Sequence, residues 1–175
     1  PGAYIGSNGF GLQCSDINND GYMDVFVTAI SHPVDSDYSR KWSDPTALLY
    51  NQGSNVGFVN LFLEAGLPFN EGDVDGAVVD FDNDGCLDLS MSRDKKYENN
   101  YSNDEQKGWF GLMHQLPDGL FESVGMVSGI NDAAADYDQM KSAQNHAWSD
   151  IDMDGDMDLL IGGRGGSAGR PNFLF

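Results

Sequence analysis

One nine-residue pattern, D-x-[DN]-x-D-G-x-x-D, occurs three times in this 175-residue chain. The copies are Asp16-Ile17-Asn18-Asn19-Asp20-Gly21-Tyr22-Met23-Asp24, Asp80-Phe81-Asp82-Asn83-Asp84-Gly85-Cys86-Leu87-Asp88 and Asp150-Ile151-Asp152-Met153-Asp154-Gly155-Asp156-Met157-Asp158. Each follows a short strand-like stretch and runs directly into an apolar one. Oxygen-bearing side chains at positions 1, 3 and 5 can wrap a hard cation such as calcium, which takes about six to eight oxygens at ~2.3–2.6 Å. Glycine at position 6 permits the sharp turn that brings later ligands back. Position 7 is expected to give its backbone carbonyl, so its side chain is free to vary as Tyr22, Cys86 or Asp156. Aspartate at position 9 is expected to close the shell. The expected calcium ligands are therefore Asp16, Asn18, Asp20, Tyr22 and Asp24; Asp80, Asp82, Asp84, Cys86 and Asp88; and Asp150, Asp152, Asp154, Asp156 and Asp158, one ion per loop. Without a cation, two carboxylates about 4–5 Å apart repel by roughly 3–4 kcal/mol at an effective dielectric near 20.

Two other readings fit part of the pattern. Asp, Asn and Gly also favour metal-free Asx turns, although three copies in register, each with a complete set of ligands, weigh against turns alone. An EF-hand needs a glutamate at position 12 between two helices, where this chain has Val27, Met91 and Ile161. The residues after position 9 are Val25-Phe-Val, Leu89-Ser-Met and Leu159-Leu-Ile, which suit strands. The expectation is a calcium loop inside a β-hairpin.

The surroundings of the loop repeat with it. In the first unit, strands are expected at Phe10–Ser15, Asp24–Ile30, Thr46–Tyr50 and Gly57–Leu63, with Leu12 and Cys14 sharing a face. In the second they fall at Gly76–Val79, Leu87–Ser92, Trp109–Gln115 and Leu120–Val127. In the third they fall at His146–Ser149, Leu159–Gly162 and Asn172–Phe175, after a short helical turn within Asp132–Ala143. Leu48-Leu-Tyr50, a turn, Gly57-Phe58 and Ala65-Gly66-Leu67 match Leu112-Met-His114, a turn, Leu120-Phe121 and Ser128-Gly129-Ile130. The repeats are 1–68, 69–131 and 132–175, the last incomplete. Four short strands per unit read as propeller blades. The expected fold is all-β: a single partial β-propeller of four-stranded antiparallel blades, about two and a half present. Loops joining first to second strands then share one rim. The inserts Ser31–Pro45, Arg93–Gly108 and Gly163–Pro171 gather on the other.

Charge narrows the partners. A formal net charge of −19 argues against nucleic acid. The chain starts at Pro1 and has no apolar run suited to a signal peptide or a membrane span, which reads as a mature product or a fragment. Its two cysteines, Cys14 and Cys86, are no disulfide framework. A bridge between them stays open, and Cys14 is expected to be a buried free thiol. Asn100-Tyr101-Ser102 matches the N-glycosylation acceptor pattern.

The loop pattern, the apolar strand after it and the Leu-Tyr…Gly-Phe…Ala-Gly-Leu tail together resemble the FG-GAP/VCBS repeat family. That family includes the calcium-bearing blades of integrin α-chain propellers and secreted proteins of the cartilage-acidic-protein (ASPIC/UnbV) type. The likeness spans nearly the whole chain. It implies ligands at positions 1, 3, 5, 7 and 9 of each loop and a loop between the first and second strands of each blade. The long inserts and the incomplete last unit depart from the family pattern.

The function expected from these features is a non-enzymatic, extracellular or cell-surface calcium-binding module for structural assembly, adhesion or ligand display. A polysaccharide-active enzyme or a lectin on a calcium-stabilised propeller is the alternative. An enzyme needs an acid, base or nucleophile in a converging site, and the three histidines lie in different contexts. His146, four residues before Asp150, reads as a packed, hydrogen-bonded core histidine. Tyr38, Trp42, Tyr97, Tyr101 and Trp109 either contact a protein or glycan partner or cover the ends of the blades. Other partners are further copies of this chain or the rest of a longer parent.

Overall fold

The computed structural model describes residues 9–30, 46–53, 56–68, 72–93, 110–125, 127–130, 143–163 and 172–175. These form three antiparallel sheets, and no helix occurs among the described residues. The first sheet has β1 (Gly9–Ser15), β2 (Asp24–Ala29), β3 (Ala47–Asn51) and β4 (Phe58–Asn60), in that order. The second has β5 (Asp73–Val79), β6 (Asp88–Arg93), β7 (Phe110–Gln115) and β8 (Phe121–Ser123). The third has β9 (Ala143–Ser149), β10 (Asp158–Gly163) and β11 (Phe173–Leu174). The chain is an all-β partial propeller: each sheet is a meander, and the first strands of successive sheets, β1, β5 and β9, lie against one another.

Alternation along the strands builds two cores. From β6, Leu89 and Met91 point toward the first sheet and join Ile17, Phe26, Leu48, Tyr50, Met113 and Phe121. Ser90 and Ser92 point the other way, toward His146 of the third sheet. Phe110 and Leu112 of β7 join Leu159 and Ile161 of β10 in the second core. β6 is covered on both faces, so all six of its residues are buried, the apolar ones toward the first sheet and the serines toward the third.

The first strands of the second and third sheets begin three residues before the expected Gly76 and His146, at Asp73 and Ala143. Three further features stand out against the sequence expectations. The fourth strands are short, three residues each rather than the full Gly57–Leu63 and Leu120–Val127 stretches. Asn60 ends the first, because its Oδ1 accepts the Leu48 N–H (3.3 Å) and the Phe62 N–H (3.1 Å) in place of the ladder. The Ala65-Gly66-Leu67 tail then turns, with Gly66 at φ 84°, and seats Leu67 in the first core. Ser128-Gly129-Ile130 does the same for the second core, with Gly129 also at φ 84°. Second, Cys14 is free, as expected, but it is exposed rather than buried. Its neighbour Leu12 is exposed too, because no described residue covers that face of β1. Third, each first strand carries a register shift: between Gly9 and Gly11, between Asp73 and Asp75, and opposite Gly162 and Gly163. A bulge bends and twists the strand that carries it. Here it sits where adjacent sheets come closest.

Glycine marks that closest approach. A Cβ on Gly76 of β5 would stand 2.5 Å from Thr28 Cγ2 and 2.8 Å from Phe26 Cε1 of the first sheet. At Gly9 the nearest atom would be Val27 Cγ1 at an ordinary 3.6 Å. Gly76→Ala is therefore expected to destabilise the fold by roughly 1–3 kcal/mol, and Gly9→Ala by less than about 0.5 kcal/mol. Urea denaturation of both variants checks this; equal midpoints would show that the sheets are not packed through Gly76.

Candidate metal centre

All three loops wrap in the same way around the position-1 aspartate. In loop one the Asp20 N–H donates to Asp16 Oδ1 and the Gly21 N–H to Asp16 Oδ2, both at 2.9 Å. In loop two the Asp84 and Gly85 N–H groups donate to the two oxygens of Asp80 at 3.1 and 3.0 Å. In loop three Asp154 and Gly155 donate to Asp150, each at 3.0 Å. The position-5 carboxylates then accept the position-7 N–H groups: Tyr22 to Asp20 (2.9 Å), Cys86 to Asp84 (2.8 Å) and Asp156 to Asp154 (3.0 Å).

Two left-handed residues close each turn. Position 6 is glycine in every copy, at φ 88°, 90° and 98°. Position 4 is left-handed as well, at φ 56° for Asn19, 60° for Asn83 and 63° for Met153. Asparagine adopts this region more readily than methionine, so the turn of loop three is the more strained at Met153. The sequence pattern left position 4 unassigned; its signal was the Asn shared by loops one and two.

Position 9 is the anchor. Asp24 and Asp88 are fully buried. Asp24 Oδ2 accepts the Ile17 N–H at 3.0 Å, and its Oδ1 accepts the Asn51 N–H at the end of β3 at 2.8 Å. Asp88 takes the Phe81 N–H at 3.2 Å and the Gln115 N–H on β7 at 2.7 Å. Asp158 takes the Ile151 N–H at 2.8 Å. Burial raises the pKa of Asp24 and Asp88, and the amide bonds oppose that rise. In loops one and two position 9 is thus a structural brace between loop and third strand, in addition to any role as a ligand.

The wrapped turns gather oxygens at two of the three loops. Asp80, Asp82 and Asp84 each offer an oxygen within 4.8 Å of the others, and so do Asp150, Asp152 and Asp158. These groups can hold a metal ion. The donor set fits a hard cation, being carboxylate throughout. Mutual repulsion is visible in loop three, where the charge of Asp154, followed by desolvation, raises the pKa of Asp152. In loop one Asn18 Nδ2 donates to Asp20 Oδ2 at 3.0 Å, while the Asp20 charge still adds to the raised pKa of Asp24. Beside loop one, Tyr50 is pushed up to about 12 by burial and then by the Asp24 charge. In loop two, desolvation and then the Asp84 carboxylate hold the Cys86 thiol above its ordinary value.

Neighbouring units are tied at this end of the strands. Gln115 Nε2 donates to the Ile17 carbonyl of loop one at 3.3 Å, and Asn83 Nδ2 of loop two donates to the Gly155 carbonyl of loop three at 2.9 Å. Tyr38, Trp42, Tyr97, Tyr101, Trp109 and Asn100, singled out in the inserts, lie outside the described residues, as does the stretch 132–142 of the expected helical turn, whose last residue, Ala143, opens β9.

A second polar cluster lies between the second and third sheets. Ser90 Oγ is 2.8 Å from His146 Nε2, Ser92 Oγ is 2.9 Å from Nδ1, and Asp75 Oδ2 is 3.5 Å from Nδ1. Trp148 Nε1 donates to Ser90 Oγ at 2.9 Å, and the His146 N–H donates to Asp75 Oδ2 at 3.0 Å. Serine, histidine and aspartate stand in the order of a catalytic triad, but both serines and the imidazole are fully buried. A nucleophile must meet its substrate, so this cluster is a core network, with His146 packed and hydrogen-bonded as expected. His114 was passed over in the sequence. The repeat match of Leu-Met-His to Leu-Leu-Tyr places it where the first unit has Tyr50, and it faces loop two.

No protein-family model matches the chain, and no curated protein matches it.

Burial lowers the pKa of His146 from its ordinary 6.5 to about 4, with the Asp75 charge opposing. Asp75 faces its ring together with the neutral Ser90, Ser92 and Phe110. A lowered histidine value means that the unfolded chain takes up the proton first as pH falls. The contribution is therefore complete above about pH 6.5, declines between about 6.5 and 4, and has a limit of about 3 kcal/mol. Between pH 7 and pH 5, wild type is expected to lose about 2 kcal/mol more unfolding free energy than His146→Gln. Denaturant titrations at both pH values check this; equal losses would contradict it.

Proposed function

We propose that this chain is a calcium-stabilised, non-enzymatic repeat module of the FG-GAP/VCBS type, acting outside the cell in assembly, adhesion or ligand display. The observation that carries the reading is the repeated loop: one nine-residue pattern adopts the same wrapped turn three times, with the position-1 carboxylate held by two backbone amides in each. Six amide bonds of this kind preorganise the loops, and the remaining lone pairs are available to a cation. Calcium fits better than magnesium, which demands compact octahedral geometry and keeps its waters. Extracellular modules bind calcium at about 10⁻⁴–10⁻³ M, a range suited to exposed loops such as these. Carboxylate number then orders the sites, with loop three tightest and loop one, where Asn18 already pairs with Asp20, weakest.

Further blades are the partners that this function calls for, from other copies of the chain or from a longer parent. Phe10 and Leu12 on β1 and Leu160 and Leu174 on the third sheet expose apolar surface suited to them. The aromatic inserts are the surface proposed for a protein or glycan ligand.

Free calcium at tenfold its dissociation constant is expected to add roughly 1.4 kcal/mol per site, raising the melting temperature over that in excess chelator. Asp82→Ala with Asp84→Ala should remove one site's share. A melting temperature that is the same in calcium and in chelator would reduce the loops to turns.

A further inference from the structure

Loop two differs from its siblings by one nitrogen. His114 of β7 sets its Nδ1 3.3 Å from Asp88 Oδ1 and 3.4 Å from Asp82 Oδ2, with Nε2 4.0 Å from Asp84 Oδ2. Nδ1 is buried and makes no hydrogen bond among the described residues, so neither carboxylate oxygen is placed to accept its proton. Its two carboxylate neighbours stand at ion-pair distance without hydrogen-bond geometry, and a buried polar atom that makes no hydrogen bond is costly. The two N···O spacings match two edges of a tetrahedral shell, in which ligands ~2.0–2.1 Å from the ion stand about 3.3 Å apart. Asp82, Asp88 and His114 offer ligand atoms all within 4.8 Å of one another. The Phe81 ring meets His114 edge-on at 6.0 Å and backs the imidazole.

The register makes the comparison with loop one direct. Met113 pairs with Leu89 as Leu49 pairs with Val25, so His114 and Tyr50 hold the same place beside their loops. Tyr50 keeps its proton far above neutral pH and offers no competing nitrogen. Calcium and magnesium prefer oxygen donors, whereas an imidazole with carboxylates suits zinc and its neighbours.

We propose that loop two is a mixed nitrogen–oxygen site that takes a borderline dication of the zinc class through His114 Nδ1, Asp82 and Asp88, and that His114 separates its metal preference from that of loops one and three. The proposal rests on the reading of the loops as cation sites. Asp82 is partly exposed, so the ion has an entry path, and the fourth position is left to solvent.

The test uses the full chain with ¹⁵N-labelled histidine, titrated separately with zinc and with calcium. Zinc at one equivalent is expected to shift the His114 Nδ1 resonance, leave His146 in place, and bind at least about tenfold more weakly to His114→Gln. Calcium binding, followed by calorimetry, is expected to change less than about threefold in that variant, which also shows that the variant folds. Zinc that binds without moving His114 Nδ1, or equally well to His114→Gln, overturns the proposal while normal calcium binding leaves the broader reading intact. Failure of both metals to bind overturns both.

Discussion

The structure depends on what a buried carboxylate does with its two oxygens. Asp24 and Asp88 each spend one oxygen on an amide at position 2 of their own loop and the other on an amide of the third strand. That brace ties loop, second strand and third strand into one unit and sets where the loop projects. It also places a charge in a buried setting, where desolvation raises its pKa. The exposed carboxylates of the loop add to the negative field. A cation would oppose both effects, so on the proposed function metal binding and blade folding are linked equilibria.

The same end of the strands joins the units. Gln115 reaches back to loop one and Asn83 reaches forward to loop three. Deeper in, glycines and bulges let the first strands approach, and the Leu67 and Ile130 tails close the two cores. The loops are therefore part of the contact between neighbouring sheets, and a change in one loop can be felt by the next.

Much of this was legible in the chain. The tripled loop marked each first-to-second-strand connection, and the apolar runs after Asp24, Asp88 and Asp158 became β2, β6 and β10. The fourth strands were less legible, since a run such as Phe58 to Leu63 has strand-like residues throughout. What stops it is Asn60, whose side chain takes the next ladder amide, an effect of geometry rather than composition. The exposure of Cys14 depends on what covers β1, which no local pattern encodes. The left-handed position 4 was hinted at by Asn19 and Asn83 but not by Met153. His114 was hidden because its partners lie some thirty residues away in sequence and meet it only through the β6–β7 register. The Ser90–His146–Asp75 cluster has catalytic residue types in a triad-like order, but its burial gives it a structural role.

The central claim is that the three wrapped turns are cation sites, and metal positions in crystals grown with calcium test it most directly. Anomalous scattering should place one calcium inside each loop, with oxygens from positions 1, 3 and 5 at about 2.3–2.6 Å. Loop one should be the first to empty as calcium is lowered. Crystals of the folded protein at saturating calcium with no anomalous peak in any of the three loops would contradict the account.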